Sequence, residues 1–474
     1  MTAAMHRVIF GFSLVLGLVC SCGAKLSAQT LHLPAHEKIV LKNGLTLLLL
    51  EKPGVPLIDV FAIVKTGAAA DPTGREGLAS VTAGLLRKGT AERTAQQFAD
   101  EFDFIGGGFQ GAASSDFSFV EAEFLAKDMD RGFGLLFDAL THPTFPQAEV
   151  DKLLAQSLDG IRAAKEDPLS VLQAYFDAYL YGTHPYGRSA VGDEISLKHI
   201  QRDAIAKFYE ANYVPGNTVV AIAGDFPAAE LRAKVIALLE SWPARPVKGV
   251  AVAAPIPAKG KRLLLVDKPD ATQTYFAIGN VGVAKNDPDR VAIRLVNTVF
   301  GGSFTSRLNE ALRVESGYTY GVESFFDAHK QPGPFVIFSY TKNETTTPAI
   351  DLVLQVLDKL HKNGVTREQL DSARNYIKGQ YPPNLETPRQ LAQLIAANEF
   401  YGLGDDEVNQ LETRLDAVTP EIAKEVIRKH FPADNLVFTL IGDAKTIAPA
   451  IKQYAATQDA RKIADPGFWP PPAQ

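Results

Sequence analysis

One phrase occurs twice in this chain. Asn217-Thr-Val-Val-Ala-Ile-Ala-Gly224-Asp225 and Asn435-Leu-Val-Phe-Thr-Leu-Ile-Gly442-Asp443 share an asparagine, six mostly apolar residues and a closing Gly-Asp, at an offset of 218 residues. The apolar run suits a buried strand and the Gly-Asp a turn. Upstream, Phe145-Pro-Gln-Ala-Glu-Val-Asp151 and Val365-Thr-Arg-Glu-Gln-Leu-Asp371 each read as a strand or loop feeding a helix, at an offset of 220. Two unrelated matches at nearly one offset predict a duplication. A length of 474 residues leaves room for two such domains.

Residues 244–261 are rich in Pro, Ala and Gly and lack periodic pattern, as a semi-rigid linker would. The expected domains are 35–243 and 262–456, followed by a tail at 457–474 whose Pro466–Pro472 stretch cannot be helix or central strand. Lys42-Asn43-Gly44 between two apolar runs predicts a hairpin. Val60–Val64 reads as a strand, and Gly77–Leu86, Val150–Lys165 and Ile200–Asn212 as helices. Phe117, Phe119, Glu121 and Glu123 alternate with Ser118, Val120 and Ala122, as a half-exposed or edge strand would. The fold class is α+β twice over, each half a mostly antiparallel sheet flanked by helices.

A net charge of −6 offers no basic footprint for nucleic acid, and the hydrophobic content of 46% is that of an ordinary soluble protein. Residues 1–28 read as a secretory signal: Arg7, then an apolar run from Val8 to Val19, then small residues near Ala24 and Ala28. That run is too short to span a membrane, and no later segment qualifies. Both cysteines, Cys20 and Cys22, lie in this leader, so cleavage after Ala28 removes every thiol. Alternatively, Val19-Cys20-Ser21-Cys22 resembles a lipid-attachment box with Cys22 as anchor. The expected location is outside the cytoplasm, the periplasm if the source is Gram-negative. The nine histidines are dispersed. His32 and His36 are separated by Pro34, which breaks the helix that would align them, and they are expected on a surface strand and not at a metal site. Gly301-Gly302-Ser303 follows a helical stretch and reads as its C-terminal turn, not a phosphate loop.

Asn43-Gly44, Gly67–Asp71, Gly77-Leu-Ala-Ser-Val-Thr-Ala-Gly-Leu-Leu-Arg-Lys-Gly-Thr90, Ile105-Gly-Gly107 and its following strand, and His184-Pro-Tyr-Gly187 leading to Gly192 together resemble the insulinase/pitrilysin family of zinc peptidases. So does Ser306-Arg-Leu-x-x-x-Leu-Arg313-x-x-x-Gly-x-x-Tyr320, over a total span of roughly residues 35 to 455. The resemblance implies a clamshell half built from two homologous domains. It also implies a helix reading His-x-x-Glu-His, with two zinc ligands and a general base, and a glutamate ligand on a later helix before Asp167-Pro168. Those four positions are here Ser80, Ala83, Gly84 and Gly160. None offers an imidazole or carboxylate, and Glu76 and Asp159 nearby would make a poor zinc site by themselves. By contrast, Arg313 and Tyr320 match the family's pair that binds a peptide carbonyl and the oxyanion formed from it.

The resemblance therefore implies a chain with no catalytic residue, metal or cofactor of its own. It would be the substrate-binding subunit of an exported heterodimeric peptidase, with Arg313 and Tyr320 as substrate-binding residues. Its partners would be a zinc-bearing homologous subunit and a peptide substrate. The alternative is a peptide-binding or structural protein without a hydrolytic partner, like the peptidase-related core subunits of respiratory complexes.

Overall fold

The two copies of the repeat form two six-stranded sheets of the same topology. The computed structural model describes residues 31–468, so the leader 1–28 with Cys20 and Cys22 lies outside the described residues. The first sheet contains β1 (Glu37–Val40), β2 (Thr46–Glu51), β3 (Leu57–Val64), β4 (Gly108–Ala113), β5 (Ser118–Leu125) and β6 (Thr218–Gly224), in the order β1-β2-β6-β3-β5-β4. The second contains β7 (Arg262–Asp267), β8 (Gln273–Val281), β9 (Val322–Phe326), β10 (Pro334–Lys342), β11 (Val437–Gly442) and β12 (Thr457–Lys462), in the order β12-β7-β11-β8-β10-β9. The repeated apolar phrases are β6 and β11. Each is buried along its whole length, parallel to the first long strand of its half and antiparallel to the next. The Asn43-Gly44 turn joins β1 to β2 as the sequence predicts, with Gly44 at φ +89.

Seven helices flank the first sheet in sequence: α1 (Leu78–Leu85), α2 (Ala95–Phe104), α3 (Met129–Thr141), α4 (Gln147–Glu166), α5 (Pro168–Tyr181), α6 (Arg202–Asn212) and α7 (Ala228–Glu240). The second half supplies α8 (Arg290–Phe300), the single turn α9 (Arg307–Asn309), α10 (Thr346–Asn363), α11 (Arg367–Gln380) and α12 (Pro388–Tyr401). Two of these cross over. α5 packs against β8 and β11 of the second sheet, and α12 packs against β3 and β6 of the first. Pro168 and Pro388, which open them, stand 220 residues apart, the offset of the repeat. Each follows a side-chain cap, since Asp167 accepts the Leu169 N–H and Thr387 the Gln390 N–H.

The exchange buries both faces of both sheets. In β2, Leu47 and Leu49 face the core formed with the first half's own helices, while Leu48 and Leu50 join residues of the second half. That is why these strands read as unbroken apolar runs without alternation. In α12, Leu391 and Ile395 are buried against the foreign sheet, and each contributes about 1.5–3 kcal/mol by leaving water.

Three expectations need correction. β5 is not an edge strand, since β4 lies outside it; Phe119 and Glu123 are half-buried as the alternation suggests, but Glu121 on the same face is buried under α12. Arg389 donates from Nε and Nη2 to the two oxygens of Glu121, and Gln393 adds a bond at 2.9 Å. The covering helix comes 268 residues later, beyond the reach of local alternation. Residues 457–462 are no tail but the edge strand β12, parallel to β7. The segment after it wraps onto the first half, where Lys165 Nζ bonds Asp465 O at 2.8 Å and Glu194 accepts the Gly467 N–H at 2.9 Å. Lys165 and Glu194 are themselves a buried ion pair at 2.5 Å. Finally, His32 and His36 belong to no strand, because β1 starts at Glu37.

Beneath α12 lies a strained pair of acids. Asp59 is only 2% exposed, sits directly across from Glu123 on β5, and its Oδ1 has no hydrogen-bond partner among the described residues. Burial first, and then the Glu123 charge, push the Asp59 carboxyl up to about 7, with Arg389 pulling the other way and Glu121 adding to the rise. The folded protein thus holds a proton here that the unfolded chain releases near pH 4. This group's contribution is full below pH 4 and is lost as pH climbs through about 7. Asp59→Asn, which mimics the protonated form, should gain on wild type by roughly 1 to 2 kcal/mol between pH 5 and pH 8 in denaturant melts. Parallel pH profiles for the two proteins would contradict the assignment.

Candidate functional site

α1 is held at its start by Asp71, whose carboxylate accepts the Gly77 N–H at 2.8 Å and the Ala79 N–H at 2.9 Å. Gly77, at φ +95, lies against Val191 and Gly192, where a Cβ would come within 2.9 Å of backbone. Six of the eight helical residues are buried, Ala83 among them; Ser80 and Gly84, one turn apart, form the half-exposed face. Gly84 faces α4 at Leu153, and Gly160 lies seven residues further along α4, exposed, with nothing within 4 Å of a built Cβ. The fold therefore does bring the two helices of the motif together.

The donors at these positions do not fit a zinc ion. A single hydroxyl, a methyl group and two glycines supply no ligand set of the kind zinc requires. Glu76 accepts the Gly74 N–H at 3.0 Å and lies 3.9 Å from Arg188, while Asp159 is bonded to Arg162 at 3.1 Å. Elsewhere among the described residues, Asp287, Asp289 and His430 converge, but Lys429 already sits 2.7 Å from Asp289.

The second half builds a groove at the corresponding edge of its own sheet. α8 ends at Gly301, where a Cβ would lie 2.4 Å from Ser324 Oγ, so only glycine lets the helix end touch β9. Asn297 donates to Ser324 O at 2.7 Å and accepts from Ser324 Oγ at 2.7 Å, while Asn309 donates to Val322 O at 2.8 Å. One edge of β9 pairs with β10, and on the other edge the backbone groups of Val322 and Ser324 are taken by Asn309, Asn297 and the Gly301 carbonyl, which clamps this outermost strand from both sides. After α9 the chain widens into a π-helical turn, Glu310–Glu315, which carries Arg313. Such turns are frequent at functional sites. Arg313 stacks over the Phe304 ring at 4.4 Å and lines a cavity of about 630 Å³ together with Asn297, Ser324 and Tyr376. Tyr320 lies just before β9, which starts at Val322; it is 79% exposed at the groove's rim, next to Gly321 of the lining. No hydrogen bond joins Arg313 to Tyr320 among the described residues. The sequence reading missed Arg294, Phe304 and Tyr376 on the same cavity. Arg294 had a visible signal, being a lone exposed cation within the apolar run Val291–Phe300.

Residues 48–194 match the family described as Insulinase (Peptidase family M16), and residues 199–377 match the description Peptidase M16 inactive domain. The chain belongs to the insulinase family of peptidases. An uncharacterized zinc protease of Bacillus subtilis is 22% identical to it over 399 residues, 84% of this chain and 96% of that protein. One of Rickettsia felis is 26% identical over 404 residues, 84% of this chain and 92% of its own length. A crystal structure of a peptidase M16 inactive domain from Pseudomonas fluorescens superposes with a TM-score of 0.80 at 26% identity, covering 86% of this chain and 98% of that one. A protease from Helicobacter pylori shares the fold with a TM-score of 0.81 at 20% identity, over 87% and 100% of the two chains. The two-sheet architecture is thus the insulinase-family fold.

In this insulinase-family chain the edge strand β4 is seated on α1 through Gly111, whose built Cβ would fall 2.2 Å from the Ala83 carbonyl oxygen. Gly111→Ala should therefore push β4 off the helix and cost about 1 to 3 kcal/mol, as other overpacked sites do. Gly134→Ala, on the open side of α3, is the matched control. Equal thermal stability of the two variants would show that the strand can shift at no cost.

Proposed function

We propose that this chain is the non-catalytic, substrate-binding subunit of a heterodimeric zinc peptidase of the insulinase family. The observation that carries the reading is an asymmetry between its halves. The edge beside α1 has lost every metal-binding side chain, while the edge beside α8 keeps a guanidinium in a groove and a phenol at its rim. A guanidinium and a phenol suit a peptide carbonyl and the negative charge it acquires on attack. With no imidazole or carboxylate at the family's metal and base positions, Ser80, Ala83, Gly84 and Gly160, the pair needs a second subunit that carries the zinc helix. An extended peptide would add to a sheet edge of that partner and reach Arg313 and Tyr320 across the chamber. The leader at residues 1–28 supports assembly outside the cytoplasm, in the periplasm of a Gram-negative source, with Cys22 as a possible lipid anchor.

The purified mature chain should hold no stoichiometric zinc and should not cleave unstructured peptides. It should copurify from its native source with a homologue bearing His-x-x-Glu-His. About one tightly held zinc per chain would overturn the reading. Recovery without any peptidase-like partner would favour a purely peptide-binding or structural role. In the reconstituted complex, Arg313→Ala and Tyr320→Phe should each lower kcat, by about 10²- to 10³-fold for a lost oxyanion donor, with a smaller effect on KM. The double variant should fall short of the product of the two. Wild-type turnover in an intact double-variant complex would mean that the pair plays no part in the reaction.

A further inference from the structure

Arg294 and Arg313 approach one cavity from different elements, the first from α8 and the second from the π-helical turn. Each is held by an aromatic ring and not by an acid: Arg294 lies 5.6 Å from the centroid of Tyr381, and Arg313 lies 4.4 Å from that of Phe304. Neither guanidinium makes an ion pair or hydrogen bond among the described residues. Glu407, the acid that reaches Arg294 electrostatically, is already engaged by Arg290 at 2.9 Å and Arg414 at 3.4 Å. Glu323, on the groove's rim, is exposed and forms no ion pair among the described residues.

A guanidinium held near a ring and not by an acid keeps its N–H groups available, and such a fork takes a carboxylate by two parallel bonds. Two such groups left unpaired in one concavity create a positive potential that an anion relieves. Around them the walls combine aromatic rings, Phe304, Tyr340 and Tyr376, with polar side chains such as Asn297, Ser303 and Gln380. Alongside runs β9, whose outward backbone groups at Val322 and Ser324 are already bonded to Asn309, Asn297 and Gly301. A peptide in this groove is therefore held by side-chain contacts and not by strand addition.

We infer that this groove is a carboxylate-selective peptide subsite, in which Arg294 joins Arg313 in binding an acidic side chain or a C-terminal carboxylate while the aromatic walls cover its apolar neighbour. The inference rests on the peptide-binding reading above and adds to it a charge preference and a residue, Arg294.

The groove lies within one chain, so the full mature chain is sufficient for the test. Fluorescence anisotropy would compare labelled extended peptides of one apolar sequence. One carries Glu and a C-terminal amide, one Gln and a free C-terminus, and one Gln and the amide. At least one carboxylate-bearing peptide should bind about tenfold more tightly than the neutral one, and which of them does so identifies the source of the carboxylate. That advantage should shrink at high salt and disappear in Arg294→Gln, with Arg294→Lys recovering part of it. Arg294 is solvent-exposed, so unchanged melting of both variants would confirm that folding is not the cause. Equal binding of all peptides would overturn the charge preference and leave the peptide-binding reading standing. Failure of every peptide to bind would overturn both.

Discussion

The molecule depends on an exchange of helices between its halves. α5 leaves the first half to cover β8 and β11, and α12 leaves the second to cover β3 and β6. Without α12, the face of the first sheet that carries Leu48, Leu50, Phe61, Ile63 and Val219 would lie open to water. A face of that kind is stable only when another layer covers it. Each half therefore completes the core of the other. The polar bonds at the seam follow the same reciprocity, with Arg389 of α12 on Glu121 of β5 and Lys165 of α4 on the carbonyl of Asp465.

This exchange also decides where the two candidate edges lie. With the central strands covered on both faces, the candidate edges lie at the rims, and β4 and β9 occupy equivalent rims of the two sheets. At the first, Gly111 and Ala83 bring strand and helix into backbone contact. At the second, Gly301 and Ser324 do the same, and Asn297 and Asn309 lock the strand with hydrogen bonds. The duplicated scaffold has thus kept two equally rigid edges with different chemistry. One is lined by small residues that cannot hold a metal, the other by aromatic rings and two cations that make no ion pair among the described residues, with Glu323 on the same rim.

Much of this was legible in the residues. The Asn–apolar–Gly-Asp phrase located the two central strands because a fully buried strand needs an unbroken apolar run, and the common offset revealed the duplication. Asn43-Gly44 located a hairpin because its turn needs positive φ. The absence of imidazole and carboxylate at the four family positions could be read directly, since ligand chemistry belongs to the side chain wherever the fold puts it. Arg313 and Tyr320 came from resemblance; neither residue type is distinctive taken singly.

What the sequence determined by itself was therefore the inventory and its period: two α+β units, their central strands, and the side chains available at each family position. What only the tertiary structure decided was which surfaces those units share. Local periodicity reports the partner of a strand a few residues away, but the helix over β5 arrives 268 residues later, so Glu121 reads as exposed in the sequence and is buried in the fold. A much shorter separation was enough to hide Arg294, which stands on the same cavity as Arg313 only because α8 is pinned to β9 and the chain between them turns back across its end.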